Sequence, residues 1–89
     1  AANPNDKDSA ILYTNRGVAH FNKNDFDSAL KDFEQAAKLD GGQPESLVNI
    51  ASAAFRKAEK SKAPADYAAA GAAYSRVLEK APTNGDALA

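Results

Sequence analysis

From Ala10 onward the apolar residues recur at steps of three and four. Ala10, Tyr13 and Gly17 lead to His20 or Phe21. Phe26, Ala29, Leu30, Phe33, Ala36 and Ala37 form a second run, Leu47, Ile50, Ala51, Ala54, Phe55 and Ala58 a third, and Tyr67, Ala70, Gly71, Tyr74, Val77 and Leu78 a fourth. Each run marks one face of an α-helix, and no segment alternates as a half-buried strand does. The boundaries are written in turn chemistry. Asp8 or Ser9 is placed to cap the first helix, which runs to Asn22 or Lys23. Lys23-Asn24-Asp25 turns into the second helix, with Asp25 as its cap, and Gly41-Gly42 ends it near Leu39. Pro44 suits the first turn of the third helix, which stops near Ser61 or Lys62, and Pro64 opens the fourth. Pro82 breaks that helix, and the residues from Asn84 start a fifth. The expectation is an all-α chain of two antiparallel helical hairpins side by side, because such short turns fold neighbouring helices back on each other.

The two hairpins echo each other. Thirty-four residues separate Tyr13 from Leu47 and Gly17 from Ala51, and the stretch Asn15–Asp40 is echoed by Asn49–Ala81. Self-similarity at this period marks stacked repeats, which generally work by offering a surface to a partner. The units are expected at about 10–43 and 44–84, within a domain of 9–89, with residues 1–8 as a flexible lead-in and 85–89 as the start of a further helix. Gly17, Ala51, Ala29 and Ala70 are small where the helices of a hairpin must approach closely. Phe33 and Tyr74 are large where the gap between hairpins must be filled.

These residues carry a family pattern. Gly17-x2-His20-x8-Ala29-x3-Phe33-x2-Ala36 resembles the tetratricopeptide repeat, with Tyr13 where that family often has Trp. The second unit reads Ala51-x2-Ala54-x15-Ala70-x3-Tyr74-x2-Val77, followed by Pro82, and Leu88 falls where a third unit places its large apolar residue. Asp25-Phe26 and Asp66-Tyr67 match the acidic–aromatic pair that opens the second helix of each unit. The resemblance spans residues 10–89. Arg16 departs from a usual Leu, His20 and Ala54 from a usual Tyr, and Gly41-Gly42 from the usual Pro. It implies a fragment of a right-handed superhelical solenoid and a non-catalytic protein–protein interaction module.

In that family the first helix of each unit lines a concave groove. By the resemblance, the groove residues here are Ile11, Thr14, Asn15, Val18, Phe21 and Asn22 from the first unit, and Glu45, Val48, Asn49, Ser52, Phe55 and Arg56 from the second. Ile11, Val18, Phe21, Val48 and Phe55 form an apolar stripe, and Asn15 and Asn49, one repeat apart, are suited to hydrogen-bond a peptide backbone. Phe21 and Phe55 also have a packing alternative, in which they fill contacts within or between units. Members that clamp a terminal carboxylate use Lys and Asn where this chain has Thr14 and Val18. Although Asn49 matches a third clamp position, the resemblance implies no such clamp.

The second unit holds seven extra residues between Phe55 and Asp66. Seven is close to two turns at 3.6 residues each, so each helix of that hairpin gains about one turn without rotating its faces. The tip, Arg56–Lys62, carries four basic residues and one acid. Lys57, Lys60 and Lys62 are a candidate docking point for an acidic partner; the plainer reading is a solvated hairpin end.

Composition narrows the function further. A net charge of −1 gives no electrostatic footprint for nucleic acid or an anionic membrane. There is no Cys, which removes thiolate chemistry and leaves the compartment undecided. There is no Met either, so the chain reads as a processed or excised piece of a longer protein. His20 is the single His, a poor start for a metal site, and it is expected to pack in the first hairpin. Ser28, Ser46, Ser52 and Ser75 have no base at a convincing spacing. Asp25, Asp27, Asp32 and Glu34 are expected to serve as capping and solubility charges. The expected partner is a protein or peptide, with no cofactor and no metal. Two other roles fit the same pattern: self-association through Tyr74, Val77 and Leu78, and a non-catalytic appendage to an enzyme.

Overall fold

A computed structural model describes residues 7–80. It contains four helices: α1 (Lys7–Asn22), α2 (Phe26–Asp40), α3 (Pro44–Ser61) and α4 (Pro64–Lys80). No strand is present among the described residues. The helices pack as adjacent pairs, α1 on α2 and α3 on α4, and α2 packs on α3 to join the two hairpins. Of the lead-in expected at 1–8, residues 7 and 8 belong to α1, and its residues 1–6, the break at Pro82 and the start of a further helix at 85–89 lie outside the described residues.

Turn chemistry fixes the ends. Asp25 caps α2 by accepting a hydrogen bond from the Ser28 amide at 3.3 Å, and Asn24 takes the left-handed conformation in the turn before it. Gly41 and Gly42 are both left-handed, with φ of 76° and 75°, and both amides donate to the Ala37 carbonyl. These are conformations that glycine adopts without a Cβ penalty. Pro44 and Pro64 each stand at the first position of a helix. One cap differs from expectation. Because α1 begins at Lys7, Asp8 and Ser9 lie inside its first turn rather than before it, where Asp8 suits the positive end of the helix.

The core is built around α2. Ala29, Phe33 and Ala37 from α2 meet Leu47, Ile50, Ala51 and Ala53 from α3 and Ala73 from α4, with Phe21, Leu30 and Val77 packed at the margin. Small residues let these helices approach. The closest fit is at Gly17, where an added Cβ would stand 2.6 Å from the Phe33 ring. Phe33 is 3% exposed and has nowhere to retreat.

Arg16, which departs from the family pattern, has a partner. Its Nε and Nη2 donate to Asp32 Oδ2 and Oδ1 at 2.8 and 2.7 Å, a two-pronged pairing between α1 and α2. Asp32 is therefore not the solvated charge the sequence suggested: it is buried, at 5% exposure, and its hydrogen bonds to Arg16 hold its carboxyl below the usual range. His20 lies within the same hairpin, with Nε2 3.6 Å from Asp32 and Nδ1 3.8 Å from Asp25. The other acids also have partners. Asp27 meets Lys57 at 2.8 Å and Glu34 meets Arg76 at 3.6 Å, each tying the first hairpin to the second.

Two predictions follow from this packing. Gly17→Ala should cost about 1 kcal/mol net, because overpacking of about 1–3 kcal/mol outweighs about 1 kcal/mol of helix propensity. Gly71→Ala, where an added Cβ meets nothing within 4 Å, should instead stabilise by about 0.5–1 kcal/mol. Urea unfolding of the two variants reads both signs. The second prediction concerns pH. A carboxylate whose folded pKa is depressed stabilises the fold above its unfolded value, near 3.9, and loses that contribution as pH falls through the folded value. Unfolding midpoints of the wild type should therefore fall on acidification below about pH 4, and the Arg16→Leu/Asp32→Leu double variant should fall less over the same window.

Candidate functional site

Antiparallel turns make α1 and α3 run in the same direction on one side of the molecule. Helix α2 packs against both, whereas direct contact between α1 and α3 is sparse. A cleft therefore remains between their N-terminal ends. Its lining includes Ile11, Thr14, Asn15, Asp40, Glu45 and Asn49. Five of these six were expected in the groove; Asp40 was not.

The polar groups of the cleft differ in how far they are already engaged. Thr14 Oγ1 donates to the Ala10 carbonyl at 2.9 Å, within its own helix. Asp40 is the α2–α3 turn's acceptor. It takes the Gly42 amide at 3.0 Å, the Gln43 amide at 3.1 Å and the hydroxyl of buried Ser46. Gln43 makes no side-chain cap on α3, and Asp40 instead holds the turn that leads into it. Asn15 and Asn49 carry no hydrogen bond from their side-chain amides among the described residues. Asn15 is exposed and Asn49 half-buried. Ile11 is exposed and supplies an apolar wall.

The rest of the expected stripe divides. Val18 and Val48 are exposed, Ser52 is half-buried and Asn22 is exposed at the end of α1. Phe21 is half-buried, packs at the core margin and meets Phe26 edge-on, with centroids 5.4 Å apart. It is further covered by Arg56, whose guanidinium lies 5.9 Å from the ring centroid and 3.6 Å from Glu59. Phe55 is 40% exposed and meets Tyr74 edge-on, with centroids 6.4 Å apart. The two phenylalanines thus occupy different environments, one at the seam between hairpins and one at the outer side of the second.

The basic tip folds back on the first hairpin. Helix α3 ends 39 residues after α1 ends, five beyond the 34-residue period, and α4 starts three residues before Tyr67. That extension carries Lys57 to Asp27 and places Lys60 Nζ 6.0 Å from the Phe26 ring centroid. The Lys57–Asp27 hydrogen bond holds the Asp27 carboxyl below its ordinary value and raises the lysine. Lys62 is exposed and left-handed, and its amide closes α3 on the Ala58 carbonyl. Asp66 lies inside the first turn of α4 and accepts from Ser61 Oγ at 2.5 Å, so it does not cap its helix as Asp25 does.

Phe21→Ala should cost about 2–4 kcal/mol, in the range of truncating a mostly buried ring. Phe55→Ala should cost about 1 kcal/mol or less, since much of its ring already faces water. Thermal or urea unfolding of the two single variants reads the difference; equal losses would place both rings in one environment.

Among the described residues no group of three His, Cys, Asp or Glu is arranged to hold a metal ion, and no helix is long and apolar enough to cross a membrane. Comparison with curated proteins gave no match, and neither did comparison with solved structures. The family model described as the tetratricopeptide repeat matches residues 10–42, which span α1, α2 and the turn that follows. Repeats of this family generally mediate protein–protein interaction and are typically non-catalytic. Residues 10–42 are thus similar to a tetratricopeptide repeat, and the four helices paired in adjacent hairpins are consistent with repeats of that family.

Proposed function

We propose that this chain is a protein-interaction module that holds an extended peptide or a partner's helix in the groove between α1 and α3, as one part of a larger scaffold or assembly protein. One observation carries the reading: Asn15 and Asn49, one repeat apart and both without side-chain partners, line a single cleft with Ile11. An extended peptide offers a carbonyl and an amide at each residue, which an Asn side chain can pair with both. Apolar contact along Val18 and Val48 supplies the remaining affinity, in the manner of groove recognition generally. The basic tip is a weaker docking candidate, because Lys57 is already paired with Asp27 and Lys60 lies near Phe26.

Selection of a random twelve-residue peptide library on the folded chain tests the groove. Selected peptides should shift the backbone amide resonances of Asn15, Val18, Val48 and Asn49 and leave those of exposed α2 residues such as Lys31 and Lys38 in place. Asn15→Ala/Asn49→Ala should weaken the same peptides by about 1–3 kcal/mol, the scale of two modest hydrogen bonds. Shifts confined to α2 and α4, or no selected peptide, would remove the reading.

A further inference from the structure

The groove has an electrical direction, and this sharpens the proposed function by stating what its ligand must carry. At the N-terminal end of α1 and α3 the cleft is lined by two carboxylates, Asp40 and Glu45, and, among the described residues, by no Lys or Arg. Neither carboxylate forms an ion pair among the described residues. Asp40 is satisfied by two amides and a hydroxyl, all neutral donors, so its charge is not cancelled. Glu45 is exposed beside it in the first turn of α3. The starts of α1 and α3 each bring about half a positive charge to this end and the end of α2 about half a negative one, which leaves the two carboxylates in excess. Lys80 lies on the α4 side of the turn, where a Cβ added at Gly42 would stand 3.6 Å from its Cε, and it does not line the cleft. At the other end, Arg56 lies near the Phe21 ring on the α3–α1 seam. Between these ends the wall is apolar and amide.

We infer that the groove selects a peptide bearing a cationic group, a Lys or Arg side chain or a free amino terminus, next to an aliphatic residue, and seats that cation at the Asp40–Glu45 end with the aliphatic side chain against Ile11. The inference rests on the groove reading above. The cation supplies charge complementarity at a half-open site, where it sets selectivity and salt sensitivity more than total affinity. The exposed Glu45 is the adjustable partner. Asp40 also holds the α2–α3 turn, so its replacement confounds binding with folding.

The experiment uses the same twelve-residue random library and three protein forms: wild type, Glu45→Gln and Glu45→Lys. Peptides selected on the wild type should be enriched in Lys or Arg beside Leu, Ile or Val. They should bind Glu45→Gln about fivefold more weakly, the loss of one exposed ion pair, and Glu45→Lys more weakly still. The wild-type advantage should shrink at 1 M salt, where the Debye length is about 3 Å. Replacing the selected cation by norleucine should remove the difference between wild type and Glu45→Gln. Acidic or uncharged peptides that shift Asn15 and Asn49, or cationic peptides indifferent to Glu45 replacement, would overturn this inference and leave the groove reading standing. No selected peptide, or shifts confined to α2 and α4, would overturn both.

Discussion

The seating of the Phe33 ring on Gly17 is the contact on which the first hairpin depends. Phe33 lies on α2, and α2 packs on both α1 and α3. With no side chain at Gly17, the ring sinks toward α1, and Ala29 and Ala37 on the same helix meet the first half of α3. A methyl at Gly17 would displace the ring from α1 or force α2 to move, and α3 would follow. Interiors packed to crystal-like density transmit such displacements rather than absorb them. The register between hairpins, and with it the spacing of Asn15 and Asn49 across the cleft, therefore rests on one missing Cβ.

The second hairpin resolves the same geometry differently. By the 34-residue correspondence Ala51 brings a methyl where Gly17 has none. Tyr74, which corresponds to Phe33 once the seven added residues are counted, stays 43% exposed and leans on Phe55. Leu78, one turn further on, is 65% exposed. The first unit's ring is covered because α3 follows it; no described helix covers Tyr74. This asymmetry between equivalent positions is what repeat stacking produces when each unit lends its neighbour a buried face.

Helix identities and ends were legible because they depend on local chemistry. Gly41-Gly42, Pro44 and Pro64 restrict backbone angles wherever they occur, so helix ends could be placed within a residue or two. The features missed all depend on distance. Arg16 and Asp32 are sixteen residues apart, and their pairing requires the α1–α2 register that Gly17 and Phe33 set. Asp40 reads locally as the end of α2, yet it also holds the turn into α3, because two left-handed glycines bring the Gln43 amide and the Ser46 hydroxyl back to it. The tip read as free charge because nothing local shows that a longer α3 carries Lys57 to Asp27. The family resemblance pointed to most of the cleft residues, whereas the division of Phe21 from Phe55 requires knowing which helix follows each.

The charges of the groove have the same origin as its architecture. Acids favour helix starts and bases favour helix ends. On α3 this preference puts Glu45 near the start and Arg56 and the basic tip toward the end, and because α2 runs antiparallel to α3, its last residue, Asp40, lies beside the start of α3. Glu45 and Asp40 gather at one end, and Arg56 and the basic tip at the other. In an isolated helix such charges stabilise by a few tenths of a kcal/mol and have no further consequence. Aligned on neighbouring helices and separated by an apolar wall, they give the groove a sense of direction. On the proposed reading, a ligand with one charged end then meets two unequal orientations.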